Sequence, residues 1–400
     1  MKREDFMNGV ISWASNSPTA NTGYGTQTAQ FLTHAKRAGY KVASLSNYGL
    51  EGANTVWDSP AGPIPHYQRG ADLYSNEVIP MHSQHWANAN PGLPSCLITL
   101  YDAWVFEGIG YDKIERIGSW VPIDHSPIPE KVGKWLKKPN VTPIAMSKFG
   151  QDEMARAGIE AEYVPHGIDT KKVFKPTLVL PEGVTVEEHL QSKDKFVVGM
   201  NAANKGVYPM RKAWDANILA FSIFAQKHDD VLLYIHSEPF GVFGGVNLFD
   251  LMKACGLPQH KVSFVDPIAY RYGIDQQTLA GLYTGMDVLL ATSLGEGFGL
   301  ATIEAQACGT RVIASNFAAS AELVSEDSWL VNGQPLWDAP QKAWFNTPFV
   351  VEIVNALEDA YQKGKGRSQK AISKAAEYDS AKVFKESWQP VLGRLLGAVK

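Results

Sequence analysis

Over most of its length the chain alternates short apolar runs with stretches whose apolar residues recur every three or four positions. Runs at 9–13, 41–45, 97–100, 120–123, 142–146 and 161–164 have the length of strands. The helical period appears at 24–38 and again at 148–157, where Ser147 can cap the first turn. Strands alternating with helices predict parallel sheets covered by helices. From 49 to 94 the pattern lapses into Pro, Asn, His and aromatic residues, and reads as an irregular insertion.

The rhythm breaks at 174–195, where Pro176, Pro181, Gly183 and the Glu187-Glu188 pair suggest an inter-domain connection. It then restarts, with strands at 196–200, 231–236, 262–265, 287–291 and 311–314 and helices at 211–227, 247–255, 275–285 and 300–308. Trp214, Ile218, Phe221 and Ala225 share one face of the first of these helices. A last helical region at 380–399 carries Val383, Trp388, Leu392 and Leu396. The expected architecture is α/β: two doubly wound domains, 1–173 and 196–379, joined by 174–195 and followed by the helix 380–400. Two such domains imply a central cleft, and ligands of these sheets bind beyond the carboxyl ends of the strands.

Composition narrows the class. The 400 residues suit two or three domains at ~150 residues each. With 45% hydrophobic and 20% charged residues, the chain is an ordinary globular one, not disordered, collagen-like or coiled-coil. Its 37 basic and 41 acidic residues give a net charge of −4, without the basic excess of a nucleic-acid protein. A local basic groove stays open. Cys96, Cys255 and Cys308 are odd in number and scattered, so they read as buried apolar residues in a reducing compartment. Met1-Lys2-Arg3-Glu4-Asp5 leads into no apolar core, so no secretory signal is expected. No apolar run nears the ~20 residues of a membrane span. The expectation is a cytoplasmic protein in which the sequon Asn140-Val141-Thr142 is idle.

The segment Ser293-Leu294-Gly295-Glu296-Gly297-Phe298-Gly299-Leu300, running on to Glu304, carries the chemistry. It leaves a strand and opens a helix. Its glycines allow close backbone approach, and a helix start with outward N–H groups suits a phosphate. Glu296 and Glu304 would not bind phosphate; carboxylates accept charge-assisted bonds from sugar hydroxyls. This string resembles the Glu-x7-Glu motif of retaining, nucleotide-sugar-dependent glycosyltransferases of the GT-B fold, the group 1 or family 4-like enzymes. The resemblance implies two Rossmann-like domains and a last helix that crosses back to the first. It implies transfer of a hexosyl or related sugar from a UDP- or GDP-sugar as co-substrate, with no cofactor and no metal. The absence of Asp-x-Asp from the chain agrees with this.

Carried over residue by residue, the resemblance puts Glu304 on the ribose, Glu296 on the transferred sugar, and Gly297, Phe298, Gly299 and Leu300 at the diphosphate. Asn21-Thr22-Gly23-Tyr24-Gly25 is similar to the family's first glycine loop, which makes Gly23 and Gly25 donor-site candidates. The loop can equally be a plain strand–helix turn. Lys212 matches the phosphate-binding lysine, while Asn201 stands where an arginine is usual, so Arg211 supplies the second charge, with Lys205 as the other candidate. Val265 and Tyr270 lie where the family holds the base, and Tyr272 is an alternative stacking ring. His125 lies where the family sets a histidine over the donor hexose; Asp124 and Asp102 are acceptor-side candidates. Val164-Pro165-His166-Gly167-Ile168-Asp169 resembles the segment before the hinge, with His166 in place of an asparagine and no role inferred for it. His82 and His85 read as loop residues rather than zinc ligands.

The acceptor is not legible. The basic stretch 129–138 would suit an anionic membrane surface, a nucleic-acid backbone or an acidic glycan. It also reads as a solvated helix with Val132 and Trp135 packed inward. The main expectation is a retaining glycosyltransferase acting on a glycan, lipid, protein or small molecule. The alternatives are a DNA-base-modifying glycosyltransferase, or a nucleotide-sugar-binding protein or epimerase without transfer.

Overall fold

The central strands of each sheet are buried on both faces, so they read as continuous apolar runs rather than alternating ones. The computed structural model describes residues 9–107 and 110–397. The charged N-terminal pentapeptide and the last turn expected around Val399 lie outside the described residues. The chain forms two compact units.

The first unit holds the residues up to Ile123, Pro127–Gly167, and those from Ser380 on. Its sheet contains β1 (Val10–Ser15), β2 (Lys41–Ser46), β3 (Thr55–Ser59), β4 (Gly62–Tyr67), β5 (Ser95–Leu100), β6 (Ile117–Val121), β7 (Val141–Ala145) and β8 (Glu162–Tyr163). The order is β3-β4-β2-β1-β5-β6-β7-β8, parallel except for the β3–β4 hairpin. The insertion at 49–94 is therefore not irregular. It contains that hairpin and the helix Ile79–Asn88, which carries His82 and His85. The hairpin escaped the sequence pattern because β3 is largely solvent-exposed and has no apolar face. Helical residues 380–395 sit in this unit with a π turn at Phe384–Trp388. Trp388 packs edge-on against Trp13, Phe31 and Trp120, giving the unit an aromatic core.

The second unit holds Ile168–Asp379 together with the short segment Asp124–Ser126. Its parallel sheet contains β9 (Phe196–Asn201), β10 (Val231–His236), β11 (Val262–Phe264), β12 (Val288–Ala291), β13 (Arg311–Ser315) and β14 (Trp329–Val331), in the order β11-β10-β9-β12-β13-β14. A separate antiparallel hairpin joins β15 (Gly333–Asp338) to β16 (Ala343–Pro348). The stretch 174–195 is part of this unit rather than a free connection. Leu180, Val186 and Leu190 are buried beside Gly281 and Gly285 of the helix Gln276–Gly285. The helix Trp214–Ala225 buries Trp214, Ile218, Phe221 and Ala225 in the core. Each large ring or aliphatic chain so buried contributes about 1.5–3 kcal/mol.

The parallel winding switches direction at β1/β5 in the first sheet and at β9/β12 in the second. The loops leaving such a pair diverge and open a crevice at the carboxyl edge. In the first unit that edge carries the Asn21–Gly25 turn and Asp102, which follow β1 and β5. In the second it carries Asn201 and the segment 292–299.

Candidate active site

The segment after β12 turns into the helix Leu300–Ala307 at Gly299, whose φ of +116° is closed to residues with a Cβ. No side chain caps this helix start. Phe298 is buried, its ring edge-on to Tyr378 at 5.6 Å. Gly295 is required for a different reason. A Cβ there would stand 2.2 Å from the carbonyl oxygen of Asp124 and 3.0 Å from the Phe345 ring. Gly295→Ala is expected to lower stability by about 1–3 kcal/mol, as overpacking does, measured by urea unfolding. An unchanged midpoint would contradict this packing.

Arg211 and Lys212 were expected in the first turn of a helix, but that helix begins at Trp214. The two residues occupy a turn closed by Ala213 N–H donating to the Met210 carbonyl, with Ala213 at a φ of +46°. The Arg211 carbonyl accepts from Leu294 N–H at 2.8 Å, so it is used across the site rather than along a helix. Both cations then reach Glu296. Lys212 Nζ donates to Oε1 at 2.5 Å, and Arg211 Nη1 to Oε2 at 3.1 Å and to the Gly295 carbonyl at 3.0 Å. Burial would raise the Glu296 carboxyl, but Lys212 and Arg211 outweigh it and hold it at about 2. Burial, and then Arg211 alongside, lower Lys212 from the usual lysine range, against the pull of Glu296. Lys205 is exposed on the same connection.

Glu304 has the opposite environment. It is buried, and among the described residues no cation pairs with it; burial raises it to about 7, with the Tyr283 hydroxyl donating to Oε2 at 2.8 Å in opposition. Tyr283 in turn accepts from Asn201 Nδ2 at 2.7 Å. Asn201 thus acts through Tyr283 on Glu304. Tyr283 was not anticipated from sequence, since nothing local marks it.

His125 and Asp124 belong to this cluster. His125 Nδ1 lies 2.7 Å from Asp124 Oδ1, and Nε2 lies 3.0 Å from Oδ2 of Asp338, a residue sequence reasoning missed. Phe345 covers the imidazole at 3.8 Å between centroids. Burial alone would push His125 down, but the carboxylates of Asp124 and Asp338 outweigh it and raise it. Asp124 Oδ2 lies 3.9 Å from Arg211 Nη1. Val265 is buried after β11, and Tyr270 stands on the short helix Pro267–Tyr272 with its ring 5.7 Å from His236. Tyr272 points into solvent, 80% exposed.

The second unit therefore brings together Asn201, Arg211, Lys212, Glu296, Gly297, Phe298, Gly299, Leu300, Glu304, Asp124 and His125. Gly23 and Gly25 lie in the first unit, where Thr22 caps the helix Gly23–Arg37 by accepting from Gly25 N–H. Asp102 stands at the N-terminal end of a 3-10 turn there, just after the neighbouring strand. The basic stretch forms the helix Glu130–Leu136 with Val132, Trp135 and Leu136 buried; Lys134 pairs with Glu130, and Lys138 with Asp112.

Residues 195–341 match the family described as Glycosyl transferases group 1. The chain folds like sucrose-phosphate synthase from Thermosynechococcus elongatus, with a TM-score of 0.74 and 18% identity over 98% of this chain and 100% of that one. The match to the group 1 glycosyl transferases thus falls within the second unit, and the chain has the GT-B fold. Another GT-B neighbour is the trehalose-6-phosphate synthase OtsA, with a TM-score of 0.67 and 14% identity over 98% of this chain and 100% of that one. An Anabaena protein solved with UDP gives 0.62 and 14% identity over 96% of this chain and 99% of that one. In sequence, the chain is 28% identical over 188 residues to a GDP-mannose-dependent phosphatidylinositol dimannoside mannosyltransferase of Mycobacterium tuberculosis, covering 47% of this chain and 44% of that protein. It is 27% identical over 216 residues to a D-inositol 3-phosphate glycosyltransferase of Mycobacteroides abscessus, covering 51% and 43%. The chain thus aligns with less than half the length of these curated relatives. Among the described residues of this GT-B chain, no helix is long and apolar enough to cross a membrane.

Proposed function

We propose that the protein transfers a sugar, with retention at the anomeric carbon, from a UDP- or GDP-sugar to an acceptor hydroxyl. The observation that carries this reading is Glu296 clamped by Lys212 and Arg211 beside a helix start with no side-chain cap, eight positions before Glu304. Breaking the anomeric C–O bond leaves its electron pair on the diphosphate. Lys212, Arg211 and the N–H groups of the Gly299–Leu300 turn stabilise that charge. The acceptor oxygen attacks from the face the diphosphate leaves, and its proton passes to the departing phosphate oxygen. Glu296 holds the two cations in place and accepts from hydroxyls of the transferred sugar. Glu304 accepts from the ribose.

The relatives' names supply the first acceptors to try. One acts on D-inositol 3-phosphate and another on phosphatidylinositol dimannoside. Phosphate-bearing polyols and sugars therefore head the panel. Incubation with UDP-glucose and with GDP-mannose, following nucleotide release with and without acceptor, tests the reading. Release is expected to rise with one donor–acceptor pair and to persist in EDTA, because protein cations meet the diphosphate charge. UDP or GDP at 100 times its Kd is expected to stabilise the fold by about 2.7 kcal/mol, read as a higher Tm. No shift with either nucleotide at millimolar concentration would refute the donor site.

A further inference from the structure

The charges of the site form an unbroken alternating series: Asp338, His125, Asp124, Arg211, Glu296, Lys212. Its far end is on the β15–β16 hairpin. That hairpin is fixed to both sides of the site. Ser126 and Trp344 exchange backbone hydrogen bonds at 3.1 and 2.8 Å, and Asn346 N–H donates to the Leu294 carbonyl at 3.0 Å. Asp338 is buried, and its Oδ1 has no hydrogen-bond partner among the described residues. Burying a carboxylate is costly, so a residue with packing as its only task would not be an aspartate. Its one direct partner in the series is His125 Nε2.

We propose that Asp338 is a positioning residue: it keeps His125 donating from both ring nitrogens, so that Asp124 is held in place to orient Arg211 against Glu296 and the diphosphate. This rests on the donor site proposed above. The argument is one of hydrogen-bond inventory. Carboxylates facing both Nδ1 and Nε2 favour a ring that donates from each nitrogen, the direction in which Asp124 and Asp338 raise His125. With Asp338 removed, Nε2 can be the bare nitrogen of a neutral ring. Asp124 then loses a cationic neighbour and turns toward Arg211, competing with Glu296 for the guanidinium. Among the described residues, the charged groups facing His125 are Asp124 on its own segment, Asp338 on β15 and, through Asp124, Arg211; β16 contributes the Phe345 ring.

The test is an NMR titration of the His125 ring in ligand-free, ring-15N-histidine protein, assigned with a His125→Asn control. In the unmutated protein the midpoint is expected above the ~6.5 of a free imidazole. Asp338→Asn, which keeps shape and removes charge, is expected to lower it by about one unit. Asp338→Glu is expected to restore part of that unit. In parallel, Asp338→Asn is expected to weaken UDP or GDP binding about tenfold at pH 8 and far less at pH 5.5, where the ring is protonated anyway. A packing role alone would give the same loss at both pH values. A midpoint at or below 6.5 in the unmutated protein overturns the proposal without any variant, as does a midpoint indifferent to Asp338→Asn. Because the titration needs no ligand, its failure is distinct from failure of the donor site, which shows as no nucleotide binding by the unmutated protein.

Discussion

Lys212→Ala is expected to lower kcat for sugar transfer by ~10²–10³-fold while leaving the protein folded, the usual cost of removing one preorganised partner of a developing negative charge. In the proposed mechanism Lys212 sits where the leaving diphosphate gathers charge, with its ammonium already partly desolvated and held by Glu296. Little reorganisation is therefore needed at the moment of bond breaking. The backbone of residue 212 does not depend on the side chain, because its carbonyl accepts from Asn217 Nδ2 at 3.2 Å. Glu296 keeps Arg211 as a partner, so the variant leaves no unpaired carboxylate at this position. Lys212→Arg is expected to rescue poorly, since a planar fork cannot replace a compact donor held at 2.5 Å. Circular dichroism and urea unfolding check the fold, and steady-state nucleotide release checks kcat. Transfer within a few-fold of the unmutated protein would remove Lys212 from the mechanism.

What could be read from sequence followed from how local each signal is. The buried parallel strands gave short apolar runs, and the cap Ser147 marked a helix start where the structure has it. Glu296 and Glu304 were legible because one strand–loop–helix carries both. Asp338 was not. Its partner His125 is 213 positions away, and the hairpin bearing it exposes Trp337 and Trp344 to solvent, so neither strand shows a clean alternation. Tyr283 was hidden in the same way, joined to Asn201 across 82 positions. The start of the helix after β9 was misplaced because a tertiary bond, Leu294 N–H to the Arg211 carbonyl, competes with the helical period there.

The second large effect belongs to Glu304, and its signature is pH. Buried and in contact with a tyrosine hydroxyl rather than a cation, its carboxyl is raised to about 7. Only the carboxylate makes a charge-assisted bond to a ribose hydroxyl. From the fraction ionised around a midpoint of about 7, the Kd for UDP or GDP is expected to be about tenfold larger at pH 6 than at pH 8. Stability runs the other way. A folded-state value above the ordinary 4.5 means the native protein holds more protons than the unfolded chain between 4.5 and 7. The contribution of Glu304 to stability is thus full below pH 4.5 and is lost as pH rises through 7, a swing of about 3 kcal/mol at ~1.36 kcal/mol per unit. Glu304→Gln keeps an acceptor for Tyr283 and cannot ionise. It is expected to flatten both profiles and to bind nucleotide about as weakly as the unmutated protein does at pH 6. Glu304→Ala, which removes the acceptor altogether, is expected to cripple transfer at every pH. Isothermal titration with UDP and GDP from pH 5.5 to 8.5, beside urea unfolding of the unmutated and Glu304→Gln proteins, gives both curves. A Kd for the unmutated protein independent of pH across 7 would place the ribose elsewhere, because a buried acid titrating there cannot hold a ribose hydroxyl as a carboxylate without the affinity following its ionisation.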